Sequence, residues 1–507
     1  MKKLIALMLA LLAAWPACAL AEKENADLFA EALSETCHVQ EGHFEHMDTI
    51  ALASQGKLIS CFGNNAGSGY LVPMIPPAPN QEPAPATEMG QMSWPAEEPS
   101  ALYDPAAENA PANPYFSPVG WTYKLRQDEA VVLVGTLPPA CKYFSLINYV
   151  FASAVKPGKE YTERSFFKYG SAEAGVYHPV FASLGEPVNM NNIRYAGGET
   201  CFGGQFAYIA SGNQDTAEAI RAALIEAGFD AGMINIAPFY ADTLRMGLEK
   251  GADVFTILMR TSQPEEAAAF EQWSTTLSES MRVYRVTPKA ETPVNAYAYP
   301  ALTPRGTGVH EVQSLPEAGK ALDQIRQSLI AQYGGEYDYE EFTARIAVPE
   351  GMTGYLNDEN AQGDNRDTSY LMTNDFTLNS DEDFVVVYGV NHVAAGKATY
   401  ANTVLYARPR LNGIVSLYDS MYGDSAAEYL PDVDSSKYYV LKMARTALDS
   451  HTAVIPYSTD NPNGRFYGAD NGTQLLIAYR AYVEPETGVG PSYYEIVYDR
   501  AIVFHKK

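Results

Sequence analysis

The chain has 507 residues, 47% of them hydrophobic and 19% charged, a composition typical of packed globular domains and not of disordered chains. Its length corresponds to roughly two to four domains. The formal net charge of −26 disfavours nucleic acid and anionic membrane surfaces as partners, because both repel an acidic protein.

The first 21 residues have the pattern of a secretory signal peptide. Two lysines precede the apolar run Leu4–Ala14, and an Ala-Leu-Ala cleavage motif ends at Ala21. The run is shorter than the about 20 residues that span a bilayer. We therefore expect cleavage after Ala21, no membrane insertion afterwards, and a secreted or cell-envelope location. Lipid attachment at Cys18 is the less favoured alternative, because the residues before it fit a lipoprotein signal poorly.

Four cysteines remain after that cleavage. An even number in an exported chain predicts disulfides, and three pairings are open. We favour Cys37–Cys61 and Cys141–Cys201, since each pair lies within one segment. An oxidised sulfur cannot attack a substrate, so a cysteine nucleophile is not expected.

Residues 22–118 are expected to form an N-terminal helical and disulfide-bonded element followed by a proline-rich arm. Ala26, Phe29 and Leu33 recur at helical spacing. From residue 71 onward, prolines exclude helices and central strands. The arm is either a free linker or an extended segment lying over a domain, and its aromatic residues favour the second alternative.

Residues 119–288 are expected to form a first α+β domain. From Gln205 to Val286, strands and helices alternate in the order β-α-β-β-α-β. This order predicts a ferredoxin-like sheet with helices on one face.

Residues 289–371 are expected to form a helical connection. The predicted helix Ser314–Tyr333 has Ser314 and Glu317 at capping-box spacing and Pro316 in its first turn. Its apolar stripe includes Leu315, Ala318, Leu322, Ile325 and Leu329.

Residues 372–507 are expected to form a second, β-rich domain. In Phe384–Ala407 two apolar runs flank a polar loop, which predicts a β-hairpin. A similar stretch, Val131–Ala152, follows a similar lead-in earlier in the chain, which indicates an internal duplication. The expected fold class is therefore α+β, with two unequal duplicated β-rich units. The first contains the ferredoxin-like series, and the second is nearly all β.

The loop of the second hairpin contains the candidate catalytic residues His392, Lys397 and Tyr400. Histidine titrates near neutral pH and can act as a general base. A single loop histidine with no assigned nucleophile is more often structural, and none of the common catalytic signatures occurs in the sequence.

The stretch Asn357–Asp367 supplies candidate metal ligands. Asp358, Asn360 and Asp364 alternate around Gly363, as oxygen ligands do in a calcium loop. The twelfth position is Ser369 and not the bidentate glutamate, so an ordinary acidic loop is the alternative to a weak Ca²⁺ site. No other cofactor is expected.

The segment Tyr457–Asn471 is dense in Asp, Asn, Gly and aromatic residues. This composition is first that of turns. It is also suited to binding sugars, and the candidate ligand contacts are Asp460, Arg465, Phe466 and Tyr467.

Two functions from different classes follow. The favoured one is an exported, non-catalytic binding protein that holds a small molecule, glycan or peptide between its duplicated domains. The alternative is a secreted hydrolase centred on His392, which requires a carboxylate or hydroxyl near His392 in a cleft. A purely structural envelope component is a third alternative, and a filled domain interface would favour it.

Overall fold

The computed structural model describes residues 25–54, 60–81, 120–159, 167–168, 176–249, 251–459 and 461–507. The chain is 36% strand and 19% helix, which confirms a mixed α+β fold dominated by sheet. The described residues divide into a first unit, 25–47, 69–81 and 120–300, and a second unit, 48–54, 60–68 and 301–507. The expected signal peptide and most of the proline-rich arm lie outside the described residues. Within the described part, no helix is long and apolar enough to cross a membrane.

The described residues of the first unit form eleven strands and several helices. Helix α1 covers 25–33. The other helices are α3 Gln214–Glu226, α4 Ala267–Thr275 and α5 Leu277–Ser280. The strands are β1 Cys37–His46, β2 Ser68–Met74, β3 Ala130–Thr136, β4 Cys141–Ala154, β5 Phe167–Lys168, β6 Val176–Ser183, β7 Val188–Asn189, β8 Gln205–Ser211, β9 Ile234–Pro238, β10 Val254–Pro264 and β11 Met281–Pro288.

These strands form one sheet in the order β5-β6-β4-β10-β2-β1-β11-β3-β8-β9, with β7 paired to β4. Strand β1 links the two halves, because its first part pairs with β11 and its last four residues pair with β2. Helices α1 and α3 cover part of the sheet, where Phe29 and Ile220 pack with Val132 and Ile209. Asn213 caps α3 by accepting a hydrogen bond from the backbone of Asp215.

The second unit contains the remaining elements. The helices are α2 Thr49–Ser54, α6 Glu311–Ser314, α7 Ala318–Tyr333 and α8 Gly351–Asn357. The strands are β12 Tyr337–Thr343, β13 Arg345–Ile346, β14 Thr368–Met372, β15 Phe376–Thr377, β16 Phe384–Val390, β17 Tyr400–Ala407, β18 Asn412–Tyr418, β19 Tyr438–Ala444, β20 Thr452–Val454, β21 Gln474–Tyr482 and β22 Arg500–Lys506.

The second unit is a sandwich of two sheets. The five-stranded sheet has the order β12-β22-β16-β19-β20, and the six-stranded sheet has the order β13-β14-β21-β17-β18, with β15 paired to β21. Val385 and Val387 of the first pack with Leu405 and Ile477 of the second in one core. Helix α7 covers the other face of the five-stranded sheet. Strand β16 is therefore buried along its whole length, which explains its continuous apolar sequence.

Four of the five residues of the predicted apolar stripe lie on α7, but the predicted start of the helix is wrong because Leu315 precedes α7 and is only partly buried. Ala318, Leu322, Ile325 and Leu329 are buried against the five-stranded sheet. The chain makes the short helix α6 up to Ser314, and α7 begins only at Ala318. Pro316 lies between the two helices and has no N–H to continue the α6 hydrogen-bond pattern.

The predicted hairpin at Phe384–Ala407 is wrong. Strand β16 pairs with β19 and β22, whereas β17 pairs with β18 and β21. Residues 391–399 therefore carry the chain from one sheet of the sandwich to the other. Two apolar strands joined by a short polar loop fit this arch as well as they fit a hairpin.

The ferredoxin-like sheet is not confirmed. The six elements occur in the predicted chain order, but β8 pairs directly and in parallel with β9. Strand β10 pairs with β4, and β11 lies between β1 and β3. The partners of β10 and β11 come from far earlier in the chain, and local sequence periodicity contains no information about them.

The predicted disulfides are absent among the described residues, where Cys37, Cys61, Cys141 and Cys201 are free thiols. The Sγ atoms of the last three each donate to a different backbone carbonyl, at Thr49, Tyr143 and Met190. Pairing cysteines by their nearness in sequence was the error, since a disulfide depends on the distance and direction of the two side chains.

Candidate functional site

His392 lies in the turn that joins the two sheets of the second unit. The turn is held by backbone hydrogen bonds, among them Lys397 N–H to the His392 carbonyl at 2.8 Å. The side chain is directed inward and is only 6% exposed. The predicted catalytic histidine is therefore part of the interior of this unit.

Two carboxylates flank the imidazole of His392. Nδ1 lies 2.6 Å from Oε1 of Glu311, and Nε2 lies 3.5 Å from Oδ2 of Asp499. Glu311 also accepts a hydrogen bond from the backbone of Val497 at 2.6 Å, and Asp499 accepts one from the hydroxyl of Tyr439 at 2.6 Å. Burial alone would lower the pKa of His392, but the nearby Glu311 and Asp499 together raise it well above its ordinary value.

Lys397 forms a second buried charge cluster. Its Nζ donates to Glu484 at 2.7 Å and to Glu495 at 2.6 Å. Glu495 also accepts from the backbone of Thr307 and Gly308. Burial alone would raise the pKa of Glu495, but the hydrogen bonds from Lys397 and the two backbone amides outweigh it and lower that pKa. This lysine is therefore held between two carboxylates and is not a free nucleophile.

Tyr400, the third predicted catalytic residue, is fully buried. Its hydroxyl accepts a hydrogen bond from the side-chain amide of Asn402 at 2.8 Å. Its ring lies 5.0 Å from that of Tyr482 and 6.3 Å from that of Tyr418. These contacts give Tyr400 a packing role in the six-stranded sheet.

A small cavity lies beside His392. It is lined by residues that include Asn402, Tyr479 and Asp499, and its volume is ≈ 10 Å³. Such a volume is large enough for about one water molecule and too small for a substrate. The carboxylate required by the hydrolase hypothesis is present, but a cleft for a substrate at His392 is not seen among the described residues.

The partners of His392 and Lys397 could not be found from the sequence. Glu311, Glu484, Glu495 and Asp499 are between 80 and 110 residues from the loop in the chain, on two separate segments. Strand β22 begins only at Arg500. The irregular segment before it directs Glu495 and Asp499 into the interior.

The structure places the predicted ligand contacts in different environments, although the Arg465 guanidinium lies 5.0 Å from the Phe466 ring centroid. Asp460 lies outside the described residues. Phe466 is buried beneath the guanidinium of Arg410, whose centre is 5.1 Å from the ring centroid. The hydroxyl of Tyr467 donates to Asp48 at 2.6 Å, whereas Arg465 is exposed. Of the three described residues, Arg465 therefore has the side chain most accessible to a ligand.

The same segment forms a polar surface around Tyr457, which was not singled out from the sequence. The Tyr457 hydroxyl donates to Asp381, and Asn471 donates to the same carboxylate at 2.7 Å. The Arg445 guanidinium lies 4.3 Å from the Tyr457 ring centroid and donates to Asn471. Asp470 is fixed by Ser458. We call Asp381, Arg445, Tyr457, Asp470 and Asn471 the Tyr457 surface.

The candidate calcium ligands lie after α8. Asp358 and Asp364 are buried, and Asp364 accepts a hydrogen bond from the backbone of Gly351 at 2.8 Å. Asn360 accepts one from the backbone of Gln362. Within the described ranges, no group of three or more His, Cys, Asp or Glu side chains is arranged to hold a metal ion. A weak Ca²⁺ site at Asp358, Asn360 and Asp364 stays a prediction.

Comparisons with known proteins give a partial sequence match. No family model matches the chain. Two proteins named "Probable ribonuclease FAU-1", from Pyrococcus horikoshii and Pyrococcus abyssi, are each 31% identical over 111 residues. The match covers 21% of this chain and 22% of each relative, so the chain spans about a fifth of the length of the curated relatives it matches.

Two crystal structures are similar over long stretches but at low scores. A protein of uncharacterised function from Burkholderia cenocepacia aligns over 94% of this chain and 87% of its own, with 9% identity and a TM-score of 0.37. A protein from Vibrio parahaemolyticus aligns over 75% of this chain and 87% of its own, with 9% identity and a TM-score of 0.32. Neither likeness supports an argument about function.

Proposed function

We propose that the chain is an exported, non-catalytic binding protein that holds a glycan or a peptide on the Tyr457 surface of its second unit. Export is supported by the signal-peptide pattern of the first 21 residues. The acidic net charge supports a neutral or cationic ligand and disfavours RNA, so ribonuclease activity is not extended from the partial relatives to this chain.

The observation that carries the proposal is the state of Tyr457. Its side chain is fixed by Asp381 at the hydroxyl and by Arg445 at the ring, yet the residue is 39% exposed. A rigid, exposed aromatic ring surrounded by Asp and Asn side chains is suited to stacking on a sugar or peptide while the polar groups hydrogen-bond it. Because the ring is already ordered, binding does not require further loss of side-chain entropy.

The test is a binding measurement on the mature chain from Glu22. Calorimetric titration with cell-wall saccharides and short peptides should detect a ligand whose affinity falls at least tenfold in Tyr457→Ala. Tyr494→Ala is the matched control, since Tyr494 is 79% exposed and is not part of the Tyr457 surface. Equal losses of affinity in both variants, or no loss of affinity in Tyr457→Ala, would contradict binding at the Tyr457 surface.

The secreted hydrolase centred on His392 is the second candidate, and one observation favours it. His392 is hydrogen-bonded to Glu311, a pairing found in general-base sites. The small cavity and the internal pairing of Lys397 argue for a structural role instead. Hydrolysis of a chromogenic ester or glycoside that is lost in His392→Asn, with the variant still folded, would reverse this preference.

The duplication of the two units is also a proposal, and their strand orders support it. The order β1-β11-β3-β8-β9 in the first unit corresponds to β12-β22-β16-β19-β20 in the second. Both orders end in a parallel pair, β8 with β9 and β19 with β20. A common origin explains why two stretches of chain with little sequence similarity have the same order of neighbouring strands.

Two local features extend this correspondence. The loop Cys61–Tyr70 ends in the first unit, although its residues 61–68 belong to the second, and it resembles the loop Ala361–Tyr370. Both have positive φ at their second and third residues, 49° and 66° in one and 53° and 70° in the other. A tyrosine that ends each loop packs on an arginine, Tyr70 on Arg260 at 6.0 Å and Tyr370 on Arg480 at 5.5 Å. The Tyr457 surface lies in the second unit, so the proposed binding function belongs to that copy.

A further inference from the structure

A groove in the second unit lies where α7 crosses the edge of the five-stranded sheet. Its volume is ≈ 360 Å³, within the range of about 300–1,000 Å³ that is usual for small-molecule sites. Its walls come from α7, β12, β16 and β22, so it is built on regular elements and not on loops. The side chains that line it include Asp323, Arg326, Gln327, Glu341, Tyr388 and Arg500.

The charged side chains of the groove are already paired with one another. Arg326 forms a two-pronged contact with Glu341, in which Nη2 lies 2.7 Å from Oε1. Arg500 donates to Asp323 at 2.8 Å and also hydrogen-bonds the hydroxyl of Tyr388. Two arginines and two carboxylates cancel in formal charge, so the groove carries no net charge.

This pairing decides the class of ligand. A ligand with an anionic or cationic group would have to displace a carboxylate or a guanidinium from its present partner, and the net charge of −26 repels anions in addition. A neutral polyhydroxylated ligand breaks no ion pair. Its hydroxyls can accept from the guanidinium N–H groups that remain and donate to the outer lone pairs of the carboxylates.

The groove also contains a polar group without a partner and an ordered aromatic hydroxyl. Among the described residues, none hydrogen-bonds the side-chain amide of Gln327, which is exposed on α7. Tyr388 is buried, lines the groove and hydrogen-bonds Arg500 through its hydroxyl. A fixed set of planar donors and acceptors on rigid elements is suited to a ring with several hydroxyls.

We propose that this groove is a second binding site, separate from the Tyr457 surface, which takes one unit of a neutral saccharide. The proposal depends neither on export nor on the Tyr457 surface. The expected ligand is an uncharged ring with several hydroxyls.

The experiment uses saturation-transfer difference NMR on the mature chain. The probes are glucose, galactose, N-acetylglucosamine and their β-linked disaccharides, with glycine and succinate as charged comparators. Gln327→Trp fills the groove from the surface of α7 and leaves both ion pairs intact. Gln332→Trp is the matched control, because it places the same substitution on an exposed position of the same helix that does not line the groove.

The expected result is a saccharide signal that falls at least fivefold in Gln327→Trp and is unchanged in Gln332→Trp and Tyr457→Ala. A saccharide signal that persists in Gln327→Trp but disappears in Tyr457→Ala would contradict binding in the groove and support the proposed function. Binding of glycine or succinate in place of the saccharides would overturn the ligand class. No saccharide signal from a folded chain would overturn the groove proposal and leave peptide binding at the Tyr457 surface to be tested by itself.

Discussion

At the scale of single residues, His392 has an environment that its neighbours in the sequence do not predict. The sequence places it in a polar loop, yet the structure holds it between Glu311 and Asp499 inside the second unit. Removing one partner of a buried ion pair leaves an uncompensated charge, which typically costs about 3–5 kcal/mol. His392 therefore has a stabilising role whose size depends on its protonation.

The first prediction concerns the dependence of that stability on pH. The folded state raises the pKa of His392 above the unfolded value of about 6.5, so the folded chain binds the proton more tightly. The stabilisation is therefore fully present below about pH 6.5 and is lost as the pH rises through the folded-state pKa. Urea unfolding of wild type and His392→Asn should be measured between pH 5 and 10. The difference between their free energies of unfolding should be largest at low pH and decrease at high pH.

His451→Asn is the control for this measurement. His451 also contacts a carboxylate, but its partner Asp424 is 86% exposed, and such a pair contributes about 0–1 kcal/mol. A wild-type advantage over His392→Asn that is constant or grows between pH 6 and 9 would contradict the assigned charge state.

At the scale of elements, Asp383 joins the start of β16 to the end of β22. It accepts hydrogen bonds from the backbone of Asn379 at 2.7 Å and of Lys506 at 3.1 Å, and its Oδ2 lies 3.1 Å from Nδ1 of His505. Burial alone would raise the pKa of Asp383, but these contacts and the hydroxyl of Ser380 lower it to about 2. One carboxylate thus fixes the ends of two neighbouring central strands.

The second prediction is that Asp383→Asn destabilises the chain by about 1–3 kcal/mol at pH 7, because hydrogen bonds to a charged acceptor are lost. The depressed pKa gives the sign: this stabilisation is present above the unfolded value of about 3.9 and is lost as the pH falls through about 2. Chemical denaturation at pH 7, 4 and 2.5 should therefore show that the difference in free energy of unfolding between wild type and Asp383→Asn becomes smaller as the pH falls.

Asp375→Asn serves as the comparison, since Asp375 pairs with Arg408 at a site where both side chains are about 40% exposed. Its effect should stay within about 1 kcal/mol. A penalty for Asp383→Asn that is equally large at pH 2.5 and pH 7 would mean that the charge is not what holds the two strands.

The sequence can predict individual strands and helices but not how the strands pair. Strand β16 and most of the buried stripe of α7 could be predicted, because apolar periodicity indicates local burial. Which strands pair could not, since β16 lies between β19 and β22 and neither is its neighbour in the chain. The hairpin error and the ferredoxin-like expectation both came from assigning pairing by adjacency.

The same limit applies to the site. His392, Lys397 and Tyr400 were chosen because they lie close together in one loop, and the structure gives each a separate set of partners. The carboxylates that determine the charge of His392 come from residues 311 and 499, which no local pattern connects to it. The Tyr457 surface was predicted only in part. The composition of the segment Tyr457–Asn471 indicated a possible binding loop, but it did not indicate that the ring of Tyr457 is exposed.

At the scale of the whole molecule, the proposed export of the chain and its free cysteines predict different redox states. An oxidising compartment favours disulfides, whereas the four described cysteines are free. Burial resolves part of this conflict. It raises the pKa of Cys141 to about 12 and that of Cys201 above its ordinary value, and only a thiolate reacts readily.

The third prediction is that the mature chain, exported into an oxidising medium and purified without reductant, retains four free thiols. In the folded state, an alkylating reagent should modify Cys37 first, because it is partly exposed, while Cys61, Cys141 and Cys201 react at least tenfold more slowly. After unfolding in guanidinium without reductant, mass spectrometry should find four alkylated cysteines. Addition of reductant should leave the melting temperature unchanged. Two alkylated cysteines, or a melting temperature that falls on reduction, would instead mean that a disulfide forms in the exported chain.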